Sequence, residues 1–142
     1  MFKTLLWATD GSPEAEAAVQ FAIPLLDPGG HIVAFHCDQR LVGPRVAGGP
    51  VLPDEADRRA RIEAQVESLR KEGVDAELRI TSSRSEPAAE FNAAAADAHV
   101  DAIVCGTRSL HGLTGLLNGS VSARVLRHAS VPVLVVPTAE KR

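Results

Sequence analysis

The strongest constraint on this chain is the regular exchange of short apolar runs for helical patterns. Apolar runs occur at residues 2–9, 31–37, 74–81, 101–105 and 132–136. The first meets Asp10-Gly11-Ser12-Pro13, which predicts a helix with Ser12 as N-cap and Pro13 at its first position. Val19, Ala22, Ile23 and Leu26 give that helix an apolar stripe, Pro24 shortens its last turn, and Asp27-Pro28-Gly29-Gly30 reads as a stop. A second helix is expected from Asp54 to about Glu72. Its stripe is Ile62, Val66 and Leu69, its i,i+4 pairs are Glu55–Arg59 and Glu67–Lys71, and Gly73 is its terminator. After a turn over residues 82–85, a third helix opens at Pro87 with Phe91, Ala95 and Ala98 inward. A fourth runs from Ser120 to about Ala129.

Strands alternating with helices imply an α/β three-layer sandwich, a parallel sheet with helices on both faces. The run 31–37 holds Ile32, Val33, Ala34 and Phe35 in succession, as expected of a strand covered on both sides, whereas 74–81 alternates and reads as an edge strand. At 142 residues the chain suits one domain spanning 1–142. In such a sheet ligands bind beyond the carboxyl ends of the strands. Asp10, Cys37-Asp38 and Gly106 all fall at such ends. The stretch from Asp38 to Pro53 is rich in Gly and Pro without periodicity, and is expected to form a flexible loop beside them.

Composition narrows the function. A net charge of −3 argues against nucleic acid as a partner. No apolar run approaches the roughly 20 residues of a membrane span, and the N-terminus lacks the features of a signal peptide. Cys37 and Cys105 each lie inside an apolar run, which suits reduced thiols in a cytoplasmic protein. Neither a G-x-G-x-x-G turn nor a Gly-Lys-Ser/Thr loop is present, and the only lysines are Lys3, Lys71 and Lys141. The five histidines show no metal-ligand spacing. His111 could pair with Ser109 or Ser120, but nothing buried is arranged to orient it, so no catalytic residue is assigned.

The glycine-dotted segment from Gly106 to Ser120 remains. A strand, a glycine-rich loop and a helix N-terminus together let backbone N–H groups converge on an anion. The pattern here is G-x2-S-x9-G-S, formed by Gly106, Ser109, Gly119 and Ser120. With Ala8-Thr9-Asp10, His36-Cys37-Asp38 and the ending Val125-Leu-Arg-His-Ala-Ser-Val-Pro-Val-Leu-Val-Val136, it resembles the universal stress protein family along essentially the whole chain.

The resemblance implies an adenine nucleotide alpha-hydrolase-like (Rossmann-like) fold. The five-stranded sheet would have order 3-2-1-4-5, with a homodimer formed through the edge strand Val133–Val136. It also implies a stress-response or signalling module that binds ATP, or AMP or ADP, with Mg or Mn. By resemblance, Ala8, Thr9 and Asp10 would border adenine, ribose or a divalent ion, and the Cys37 backbone would meet the adenine edge. Gly106, Arg108, Ser109, Gly119, Ser120 and Val121 would surround ribose and phosphates. Nucleotide-binding members carry glycine where this chain has Ser109. If that position needs a positive φ, the change costs roughly 1–2 kcal/mol, although the hydroxyl offers phosphate a hydrogen bond. Two other readings stay open: a dimeric interaction module that does not bind ATP because of Ser109, and a weak ATPase or autophosphorylating protein.

Overall fold

The computed structural model describes residues 1–38, 55–82, 87–106 and 127–137. The first strand, β1 (Phe2–Ala8), is followed by helix α1 (Pro13–Ala22), a 3-10 turn (Ile23–Leu25) and β2 (Leu26–Asp38). Then come α2 (Glu55–Lys71), β3 (Asp75–Ser82), α3 (Pro87–Asp97), β4 (Ala102–Gly106) and β5 (Val133–Val136). All pairings are parallel and the sheet order is β3-β2-β1-β4-β5, as expected. Of the fourth expected helix, Arg127 and His128 are helical and residues 120–126 lie outside the described residues. So do the Asp54 cap, residues 83–85 of the expected turn, and the side chain of Phe91.

Because β1 is central, both of its faces must be apolar. Leu5, Leu6, Trp7 and Ala8 are all buried. Trp7 packs with Ile32, Ala34 and Ala76 of neighbouring strands against Ala15 and Val19 of α1 and Ile62, Val66 and Leu69 of α2. Leu5 joins Ala102 and Val104 beneath Ala18 and Ala22 of α1. Leu6 and Ala8 face the other way, with Val33, Phe35, Cys37, Ile103 and Cys105, toward Ala95 of α3. The alternation of side chains across each strand therefore sorts the core into two layers.

Local rules set the ends of the elements. Ser12 accepts from the Ala15 amide at 3.1 Å and caps α1. Pro24 lies in the 3-10 turn and shortens the helix as expected, but the α-helical geometry stops at Ala22, before Ile23 and Leu26 of the expected stripe, and Leu26 opens β2. The Pro-Gly-Gly run does not end the structure before β2, however. It lies within β2, where pairing jumps from Phe2↔Leu26 to Thr4↔His31, so the extra residues are taken up as an irregularity next to β1. Gly29, with φ of +78°, supplies the left-handed backbone that this detour needs.

Helices α2 and α3 stop in the same way by different residues. The Val74 amide reaches the Leu69 carbonyl and the Gly73 amide that of Arg70; Val100 reaches Ala95 and His99 reaches Ala96. Both are Schellman stops, which place the intervening residue in the left-handed region. Gly73 takes a φ of +88° freely, whereas His99 takes +52° with a Cβ that crowds the backbone. At the amino ends of the strands, Asp101 Oδ2 accepts from the Lys3 and Thr4 amides at 2.7 and 3.0 Å. These amide hydrogen bonds hold its carboxyl below the usual range.

On the β3 edge, His31 of β2 sits between two carboxylates. Its Nε2 bonds Glu77 Oε1 at 3.0 Å. Its Nδ1 lies 3.0 Å from Asp75 Oδ2, near enough for ion pairing but off the direction of a hydrogen bond. Partial burial opposes the charged ring, yet Glu77 and Asp75 outweigh it and raise the His31 pKa above 6.5. The same hydrogen bond lowers Glu77 below 4.5, against the opposing effect of burial.

Two outcomes are expected. Replacing His99 with Gly relieves the left-handed strain and, after the added freedom of the unfolded chain, raises stability by about 0.5–1 kcal/mol in urea unfolding. The stabilisation due to His31 is full below pH 6.5 and lost as pH rises through its raised folded value; that due to Glu77 is full above pH 4.5 and lost as pH falls through its lowered one. The stability difference between the parent and His31→Gln should therefore be largest between those values and shrink by pH 9. A difference that grows with alkalinity would contradict the assignment.

Candidate functional site

One wall of the crevice is the turn from β1 into α1, Thr9-Asp10-Gly11-Ser12. The Thr9 amide still bonds the Phe35 carbonyl of β2 at 3.0 Å, so strand pairing runs one residue past β1 proper. Thr9 is buried, and its hydroxyl has two partners. It donates to Gln65 Oε1 at 2.8 Å and accepts from the Gly11 amide at 3.1 Å. The Thr9 carbonyl lies 3.0 Å from Nδ1 of the buried His36. A carbonyl only accepts, so this ring nitrogen carries the hydrogen.

Asp10 Oδ1 accepts from the Ser12 amide at 2.9 Å, the hydrogen bond of an Asx turn. The turn role that any Asp could fill here is thus occupied by one carboxylate oxygen. Gly11 has a φ of +82°, and a Cβ there would sit 3.1 Å from both the Arg58 carbonyl and the Arg61 Cβ of α2. The turn is wedged beneath α2, where only glycine satisfies both the backbone and the space.

The other walls are the ends of β2 and β4. Cys37 is 5% exposed and shares a core layer with Ala8 and Cys105. Gly106 closes β4, is itself buried, and pairs with Val136. Burial pushes the Cys105 thiol up to about 11. Cys37 and Cys105 stand on the two strands that flank β1, and Cys37 lies two residues further along, so their backbones are more than two strand spacings, about 9.5 Å, apart. That exceeds the span of a disulfide, and both are free thiols.

The structure thus brings Ala8, Thr9, Asp10, Cys37 and Gly106 to the carboxyl ends of three adjacent strands. Arg108, Ser109, Gly119, Ser120 and Val121, with His111 and residues 39–53, lie outside the described residues. Among the described residues no group of three His, Cys, Asp or Glu side chains could hold a metal ion, and no helix is long and apolar enough to cross a membrane.

Gln65 is the residue that sequence reasoning missed. It stands at the third position after Ile62, inside the α2 stripe where an aliphatic side chain would be ordinary. A polar residue in that register was the available signal. Its amide also donates to the Ser12 carbonyl at 2.9 Å. Substituting Gly11 with Ala should lower stability by about 2–3 kcal/mol, from left-handed strain and contact with the Arg58 backbone. A shift in urea midpoint at unchanged m-value measures it.

Comparison with known proteins follows the same lines. The profile of the universal stress protein family matches residues 1–137. Among solved structures, the chain is similar to the hypothetical protein MJ0577, at 23% identity and TM-score 0.75 with 99% of each chain covered. It is similar to a universal stress protein family member from Burkholderia pseudomallei, at 25% identity and TM-score 0.69 with 96% of each covered. A universal stress protein from Archaeoglobus fulgidus in complex with dAMP matches at 24% identity and TM-score 0.68, with 96% of this chain and 98% of that one covered. None of the curated proteins compared with the chain matches it.

Proposed function

The chain belongs to the universal stress protein family, and on that premise we propose that it binds an adenine nucleotide at the carboxyl rim of its sheet. The observation that carries this reading is the convergence of three strand ends, those of β1, β2 and β4, beside a glycine-rich segment. The dAMP-bound relative shares that fold. The ligand is ATP, or ADP or AMP. Ala8, Thr9 and Asp10 border adenine and ribose, and Asp10 offers a carboxylate to a nucleotide-bound Mg or Mn ion. The Cys37 backbone meets the adenine edge. Gly106, Arg108, Ser109, Gly119, Ser120 and Val121 take ribose and phosphates, mostly through backbone N–H groups.

The protein acts as a cytoplasmic homodimer that signals through nucleotide occupancy in a stress response. Support for the dimer comes from β5, an edge strand of four apolar residues whose Val135 is 38% exposed. Binding rather than catalysis fits a rim whose strand ends and loops carry no lysine in the sequence. A second reading rests on Ser109: a side chain at the second glycine position of the motif would close the phosphate site and leave a dimeric interaction module.

Calorimetric titration with ATP decides between them. The first reading predicts a Kd of micromolar to tens of micromolar for the parent, at most a few-fold tighter in Ser109→Gly. No heat with the parent and clear binding by Ser109→Gly would give the case to the second. Light scattering at micromolar protein should report the mass of a dimer, and a monomer would remove that part of the proposal.

A further inference from the structure

A buried amide in a helix stripe needs a reason. Gln65 is 8% exposed and stands among Ile62, Val66 and Leu69, which are 0–2% exposed. Leucine there would add apolar contact without the cost of desolvating an amide. Gln65 nevertheless has a partner at each end of its amide. Its Oε1 accepts the Thr9 hydroxyl hydrogen at 2.8 Å, and its Nε2 donates to the Ser12 carbonyl at 2.9 Å. The direction of each bond is fixed, because the Ser12 carbonyl only accepts and must face the NH2 group. The amide therefore spans the turn from its first residue to its last.

The consequences run through the intervening residues. With its hydrogen committed to Gln65, the Thr9 oxygen turns a lone pair to the Gly11 amide at 3.1 Å. With Ser12 held at its carbonyl, its amide stays 2.9 Å from Asp10 Oδ1. Asp10 thus lies between the Thr9 hydroxyl and the Ser12 carbonyl, both held by one side chain of another element. We infer that Gln65 is a positioning residue for the nucleotide site: it holds the Thr9–Ser12 turn, and with it the Asp10 carboxylate, in the conformation that receives the ligand. The inference rests on the nucleotide reading above. It adds a residue of α2 that touches no ligand and acts only through the turn.

The test compares calorimetric binding of ATP by the parent, Gln65→Leu and Gln65→Glu, at pH 8.5 and 5.5, with each protein shown to be folded by circular dichroism at the working temperature. Gln65→Leu should bind about tenfold more weakly than the parent at both pH values, the effect of losing one to two buried hydrogen bonds. Gln65→Glu turns an acceptor oxygen toward the Ser12 carbonyl unless it is protonated. Relative to the parent at the same pH, it should bind about tenfold more weakly at pH 8.5 and return to within about threefold at pH 5.5, because burial of this position lifts the introduced carboxyl's pKa above that pH and the protonated acid again donates. A side chain that serves stability alone would lower the melting temperature without moving these ratios. Parent-like binding by both folded variants would therefore overturn the inference and leave the nucleotide reading standing. If Gln65→Leu does not fold, a Gln65→Glu ratio independent of pH overturns it. If the parent binds neither ATP, ADP nor AMP, the nucleotide reading falls and this inference falls with it.

Discussion

The indole N–H of Trp7 has no access to water, and its donation to the Ala15 carbonyl at 2.9 Å is the interaction on which the first crossover depends. Burying the Trp7 ring contributes roughly 4–6 kcal/mol of transfer free energy, much of which an unpaired N–H would cancel. Pairing with the first turn of α1 avoids that loss and ties the helix to the strand it follows. The chain between them is then too short to wander. Four residues, Thr9 to Ser12, must reverse direction within a fixed gap, and their turn is accordingly tightly constrained.

The two ends of the sheet are held by different means. At the amino ends, Asp101 takes the Lys3 and Thr4 amides, joining β4 to β1 by a side chain on the surface. At the carboxyl ends the ties are buried and polar: Thr9 to Gln65, Gln65 to Ser12, His36 to Thr9. A network of this kind is costly when partly broken, since each member that loses a partner stays shielded from water. It makes the rim exact in shape at points where a ligand would touch backbone rather than side chains.

The alternation of apolar runs and helical stripes was enough to read the element order and the parallel sheet, because those follow from which faces must be covered, whereas the strand order came only from the resemblance to the family. The turn at Asp10 was legible for the same reason, since Asp, Gly, Ser and Pro each have a local role there. The start of β2 was not. Pro28, Gly29 and Gly30 stop most strands, and only the neighbouring β1 allows this one to absorb them as a detour. Nor was the role of Gln65 legible, since its partners lie 53 and 56 residues away and the helix pattern tolerates one polar member. His99 shows the converse: its left-handed backbone is imposed by the stop of α3, against the preference of the residue that occupies it.

Burial of Cys105 at the end of β4 has a consequence for redox chemistry. With the thiol pushed up to about 11, only about one molecule in ten thousand carries the thiolate at pH 7. Peroxide oxidises thiolates, so this sulfur is a slow route to sulfenic acid even though it adjoins the candidate crevice. Electrophiles that label reactive cysteines should pass it by for the same reason. The end of β4 is thereby kept chemically quiet under oxidant.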